Sequence, residues 1–181
     1  MKIINLILIM LMIISVTVGD VFATTYAKTS LKKFVETSTI IVNATVIESV
    51  SSWNDEHNNI YTHTRVKINE VYKGKDLPDE IVIEQLGGRV GDKSLEIESS
   101  PQFKVNEKTL LFLIYFNDKW VIHSIGMGKF DLVEDSGKLV AINPRISQEL
   151  IESDIKYKDA NAKCPKFLMS ELKNKIEIHD K

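Results

Sequence analysis

The stretch TLLFLIYF constrains this chain most, because from Leu110 to Phe116 it shows no polar alternation at all. Eight residues are too few to cross a bilayer as a helix, which takes about 20. A short unbroken apolar run is instead the pattern of a strand buried on both faces. It is therefore expected to be the central strand of the fold.

The segments around it read as strands that bury one face. In TIIVNATVIESV, Ile40, Val42, Ala44, Val46 and Val50 point one way, and Asn43, Thr45 and Ser49 the other. IYTHTRVKINEVY alternates likewise, with Ile60, Thr62, Thr64, Val66 and Ile68 inward and Tyr61, His63, Arg65 and Lys67 outward. A phase shift at Glu70-Val71 predicts a bulge or a strand end. Between these two runs, SSWNDEHNN is polar and turn-rich, a surface loop with Trp53 at its start. Lys73-Gly74-Lys75 forms a turn, Pro78 delays the next pairing, and EIVIEQL is a third strand. Gly87-Gly88-Arg89-Val90-Gly91 reads as a flexible loop, followed by a short strand around Leu95 and Ile97. Asn106-Glu107-Lys108 is a turn in which Asn106 adopts the left-handed conformation at low cost. Asn117-Asp118-Lys119 leads into WVIHSIGMGKFDLVE, and Asp135-Ser136-Gly137-Lys138 into LVAINP, which gives two hairpins.

Helical spacing appears at both ends of this β-rich body. Leu31, Phe34 and Val35 share one face of a short helix from about Ser30 to Thr37. Ile146, Leu150, Ile151 and Ile155, then Phe167, Leu168, Leu172 and Ile176, predict one or two amphipathic helices separated by Pro165. The expected fold is thus mostly β: a small antiparallel OB-like barrel of five to six strands, with a short N-terminal helix and one or two C-terminal amphipathic helices. A two-sheet sandwich is the alternative.

The first 23 residues carry a different message. Lys2 is followed by an apolar run from Ile3 to Val18, and Val21-Phe22-Ala23 supplies small residues at the positions signal peptidase reads. A secretory leader cut after Ala23 is expected, so the chain works in a secreted or extracytoplasmic setting. An uncut leader would instead anchor it to a membrane, because the apolar run extended to Phe22 is about 20 residues long. The domain plan is therefore 1–23 leader, 24–145 β-barrel, and 146–181 a helical extension packed on the same domain.

Charge and cysteine content narrow the function classes. The net charge is -2, and losing the leader removes Lys2 and Asp20 together, so the balance stays the same. That gives no broad attraction to nucleic acid or to an anionic surface. Cys164 is the only cysteine, so no intrachain disulfide forms and packing alone holds the domain.

Read in order, "TIIVNATVIES", "SWND", "IYTHTRVKINEVYKGK", "EIVIEQLGGRVGD", "PQFKVNEKTLLFL" and "GMGKFDLV" resemble a set of uncharacterised secreted bacterial and archaeal proteins. More distantly, residues 36–133 resemble the netrin and metalloproteinase-inhibitor (NTR/TIMP) modules, which are OB-fold barrels. The resemblance implies a valine-rich first strand, a second strand ending in Lys-Gly, and a later strand of the LLFL type. The animal modules are rich in disulfides and chelate the protease zinc through an N-terminal cysteine. Here the expected mature start is Thr24 with no cysteine nearby, and Asn106 stands where the pattern has glycine.

Catalytic motifs are weak by comparison. His57, His63, His123 and His179 lack the close spacing of zinc ligands, no G-x-S-x-G elbow occurs, and the glycine cluster lacks G-x-G-x-x-G spacing. No metal or cofactor is expected. Asn43-Ala44-Thr45 is a glycosylation sequon. The residues expected to bind a ligand are Trp53, Tyr61, His63, Arg65, Gly87, Gly88 and Arg89, with the contacts made by the loops at Ser51 to Asn59 and Gly87 to Lys93. The expected function is a non-enzymatic interaction module that meets an extracellular or cell-surface protein or polymer, not nucleic acid, and a membrane only if the leader stays on. The alternatives are an extracytoplasmic metal-dependent hydrolase using His57 or His63, and a protease-inhibitor-like protein.

Overall fold

A computed structural model describes residues 31–144 and 166–180. The leader, Thr24, the helix expected around Ile146 to Ile155, and Cys164 lie outside the described residues. The chain is mostly β. Its elements are α1 (Leu31–Thr37), β1 (Ile40–Trp53), β2 (Ile60–Lys73), β3 (Glu80–Leu86), β4 (Gly88–Val90), β5 (Lys93–Leu95), β6 (Lys108–Phe116), β7 (Lys119–Ile122), β8 (Lys129–Asp135), β9 (Lys138–Ile142), β10 (Lys166–Leu168) and α2 (Met169–His179).

Five of these strands close a ring of pairings. β1 pairs with β2, β2 with β3, and β3 meets β7 in a parallel contact between Ile83 and Trp120. β7 pairs with β6, and β6 returns to the first half of β1. The sheet then continues outward from β6 through β8 and β9 to β10. β6 therefore belongs to both the ring and the extension, which is why its sequence is apolar on both faces. Leu111 and Leu113 face the ring interior with Ile40, Val42, Val66 and Ile83. Leu110 and Phe112 face the other way, into a second core formed with α1, β8, β10 and α2. Ile41 joins that second core while its neighbours Ile40 and Val42 join the first, so three consecutive residues of β1 are buried.

The helices lie where their apolar spacing requires. Leu31, Phe34 and Val35 are all buried, and the ring of Phe34 packs on that of Phe112 at 5.2 Å between centroids. The Lys-Gly turn of the sequence pattern has a local cause. Lys73 Nζ donates to the carbonyls of Val35 at 2.7 Å and Glu36 at 3.3 Å, satisfying orphan acceptors at the end of α1. Gly74 sits at φ +111, where a Cβ would lie 2.8 Å from Ile40 Cγ2.

Several expectations need correction. Val50 is 52 % exposed rather than buried, because the β1–β2 register slips between Val46 and Glu48 and leaves Ile47 as an extra residue. A one-residue slip exchanges the two faces of a strand, so Ser49 and Ser51 turn inward and Val50 turns out. The Gly87–Gly91 segment is no flexible loop but the start of a small hairpin, with Val90 paired to Lys93 and Gly88 to Leu95. The run from Trp120 to Glu134 is not one strand. It is broken at Ser124–Met127, where Ser124 and Ile125 take positive φ and buried Asn143 donates to the carbonyls of Gly126 and Met127. Phe167 and Leu168 are not helical either. They pair with Ala141 and Val140 of β9, and only from Met169 does α2 begin, burying Met169, Leu172 and Ile176. The phase shift in β2 is present, with Asn69 and Tyr72 left over in the register. Both predicted hairpin turns also form, Asn117-Asp118 and Ser136-Gly137 each taking two positive φ values.

Candidate functional site

The slip at Ile47 determines what lines one end of the ring. Going along β1 and β2, the facing inward pairs are Val46 with Val66, Ser49 with Thr64, Ser51 with Thr62, and Trp53 with Ile60. An apolar interior thus gives way to two tiers of hydroxyls. Ser49 and Thr64 hydroxyls lie 3.0 Å apart, and those of Ser51 and Thr62 2.8 Å apart. Thr62 Oγ1 donates to the Gly87 carbonyl at 2.7 Å, so the proton between Ser51 and Thr62 must come from Ser51.

Ser49, Ser51 and Thr62 floor a groove of about 570 Å³, with Thr64 buried behind Ser49. One wall is the β4–β5 hairpin, and the other is the segment from Ile97 to Phe103. Gln85 of β3 faces inward opposite Thr62 and donates its amide to Ser100 Oγ at 3.0 Å and to the Pro101 carbonyl at 3.3 Å, which fixes the second wall. Gly88 lies directly over the floor. A Cβ there would overlap Ser51 Oγ and Thr62 Oγ1, so only glycine lets the hairpin approach so closely. Arg89 is exposed on the rim, its Nε donating to the Gly91 carbonyl at 3.2 Å.

The seven residues expected to bind a ligand are therefore split between two faces. Gly87, Gly88 and Arg89 line the groove. Trp53 shares the inward face but sits beyond the groove, its ring stacked on that of His57 at 6.5 Å. Tyr61, His63 and Arg65 occupy the outer face. There the side chains are engaged by carboxylates: His63 Nε2 lies 2.9 Å from Glu84, and Arg65 lies 3.0 Å from Glu48 and 3.4 Å from Glu80. Lys119 also binds Glu84, at 2.6 Å, and sits over the Tyr61 ring. Burial alone would raise the Glu84 carboxyl, but the bonds from Lys119 and His63 outweigh it and hold it below the ordinary value. The groove residues outside the seven named from the sequence include Ser49, Ser51, Thr62 and Gln85, of which Ser51 falls at the edge of an expected contact loop. The signal available for them was S-x-S near the end of one strand and T-x-T near the start of the next, which a hairpin sets opposite each other.

No family model matches the chain, and no curated protein matches it. Function must therefore be argued from the site itself.

The histidines do not assemble a metal centre. Among the described residues no three His, Cys, Asp or Glu side chains converge to hold an ion. His57 is held in the turn after β1, its Nδ1 3.2 Å from the Asp55 carbonyl, while His63 is engaged by Glu84. His123 is structural in its contacts. Its ring meets Phe34 edge-on at 4.3 Å, and its Nε2 lies 2.9 Å from Thr37 Oγ1. Thr37 spends its own proton on the Lys33 carbonyl, so Nε2–H is the donor, and Nδ1 is left to accept from Ser124 at 2.8 Å. This places His123 as the neutral tautomer, and burial lowers its pKa below the ordinary imidazole value.

A pH prediction follows. Near the ordinary imidazole value of about 6.5 the unfolded chain binds the proton more readily than the fold does, so stability must fall as pH drops through that value. Urea unfolding of the wild type between about pH 7.5 and pH 5 should show this loss, and H123Q should flatten it. An unchanged slope in H123Q would exclude His123 as the cause.

Proposed function

We propose that the chain is an exported, non-enzymatic binding module, an OB-type barrel whose groove over Ser49, Ser51 and Thr62 takes a protein or polymer ligand. Export rests on the leader read from residues 1–23. The barrel reading rests on the order of the ring. With the β4–β5 hairpin set aside, the strands follow one another as first, second, third, fifth and fourth, the third and fifth meeting in parallel, as in an OB barrel. The observation that carries the binding role is the groove floor. At this end hydroxyls and the Gln85 amide face inward, where the interior beyond Val46 and Val66 is lined by apolar side chains, and the floor opens between two walls. A concave surface with a few convergent polar groups is the form binding sites take.

The reading is tested by site-specific photo-crosslinking. A photoreactive residue replaces Ser94, on the groove wall, or Val82, exposed on the outer face, and the full chain is exposed to the envelope fraction of the cells that make it. Adducts should form from position 94 and not from position 82. Adducts from position 82 alone, or equally from both, would refute the groove as the binding surface.

A further inference from the structure

We infer that the groove recognises a neutral, hydroxyl-rich chain, a short stretch of glycan, by offering it acceptors; this rests on the binding role proposed above. The first argument is proton accounting along the floor. Thr62 gives its hydroxyl proton to the Gly87 carbonyl and Ser51 gives its own to Thr62. Within the Ser49–Thr64 pair one proton is spent on the partner. Four hydroxyls therefore keep at most one proton to offer, while each oxygen has two lone pairs. A ligand that satisfies this floor must bring donors.

The second argument is charge. Among the described side chains around the groove only Arg89 and Glu96 carry a formal charge, one of each sign, and both are exposed at the rim. A cationic or anionic ligand would leave water for a floor with no opposite charge to meet it, which is costly. The third argument is the apolar part of the walls, where Ile97, Pro101 and Phe103 stand beside the polar floor. A pyranose unit presents hydroxyl donors at its edge and C–H groups on its faces, which matches both surfaces. An extended peptide matches less well, because each backbone N–H comes with a carbonyl that needs a donor, while the floor keeps at most one proton to give and the donors of Arg89, Ser94 and Gln102 lie exposed at the groove's edges. The groove volume of about 570 Å³ lies within the range of sites that enclose small ligands, about 300–1,000 Å³.

The test is an NMR titration of the full isotope-labelled chain. The probes are maltohexaose, cellohexaose and chitohexaose, with hexagalacturonate as an anionic chain and a Gly-Ser hexapeptide as a peptide chain. At least one neutral hexasaccharide should shift the amides of Ser49, Ser51, Thr62 and Gly88 saturably. S51A should weaken that binding by about tenfold, the effect of losing roughly one good hydrogen bond. R65A, on the opposite face, should leave it unchanged. If only the peptide shifts these amides, the groove remains a binding site and the glycan assignment is wrong; if only hexagalacturonate does, the assignment to a neutral chain is wrong. If no probe shifts them while crosslinking from position 94 succeeds, the glycan assignment again falls and the binding module stands. If neither experiment marks the groove, both readings fall.

Discussion

Replacing Gly88 with alanine should unfold the protein about 10–15 °C earlier than wild type. Two costs add at this position. Its φ of +137 lies where side chains are rarely tolerated, a strain of about 1–3 kcal/mol. The added methyl would also overlap Ser51 Oγ and Thr62 Oγ1, two hydroxyls held by their bond to each other, and overpacking of that kind costs about 1–3 kcal/mol. Together they give about 2–6 kcal/mol, centred near 4. At roughly 2–4 °C per kcal/mol for a chain of this size, the melting temperature moves by the amount stated. Gly91 and Gly137 provide the control. Both have positive φ but open space where a Cβ would go, so G91A and G137A should cost only about 1 kcal/mol each. Thermal unfolding followed by circular dichroism separates the cases. Adding S51G to G88A removes one of the overlapping atoms and should recover part of the loss, a coupling that a double-mutant cycle measures. Equal melting temperatures for G88A and G91A would show that the hairpin does not press on the groove floor.

The same position shows how far sequence reading reached. Gly87-Gly88 stands out in the sequence, but as a generic loop signal, since a glycine pair looks alike whether the chain is free there or packed against hydroxyls. What decides between the two is the inward turn of Ser51. That turn depends on Ile47 being the extra residue in the β1–β2 ladder, and nothing in VIES marks it, because a bulge answers the bend the ring imposes rather than a local propensity. The central strand was legible for the opposite reason. Its first half, Leu110 to Leu113, fills two cores and no local feature competes with that demand, while Tyr115 and Phe116 at its end are exposed, contrary to the apolar pattern. Phe167 and Leu168 mark the middle ground. Their spacing to Leu172 fits a helix, yet the edge of β9 offers ladder bonds that hold these two residues extended before α2 begins. The outer row His63, Arg65 and Lys67 shows the limit for sites. Its alternation was legible, but the carboxylates that engage two of its members come from Glu48, Glu80 and Glu84 on other strands, and which residues meet depends on register.

Removing the Lys129 ammonium should have the second large effect, on stability. Lys129 is 5 % exposed, the first residue of β8, and its Nζ lies 2.9 Å from Glu107, against Asp131, and 5.1 Å from the Phe103 ring centroid. A buried pair of this kind contributes little beyond an apolar replacement when both partners change, but deleting one partner leaves the other charge buried without compensation, at about 3–5 kcal/mol. Glu107 keeps about a fifth of its side chain in contact with water and Asp131 nearly half, so about 2–4 kcal/mol is expected for K129M. Methionine preserves the length and the apolar stem, which confines the change to the charge. The double variant K129M/E107M should recover most of the loss, because the one carboxylate then left without the ammonium, Asp131, is nearly half exposed to water. Urea unfolding of the single and double variants reads the difference. If K129M costs nothing, the stem that methionine keeps accounts for the role of Lys129 and its charge does not; if K129M costs as expected and the double variant is no more stable, the loss does not come from the Glu107 carboxylate. The outcome also bears on the groove, whose second wall includes Phe103 above this ammonium. If the charge holds that wall in place, K129M should weaken groove binding along with the fold, and K129M/E107M should restore both.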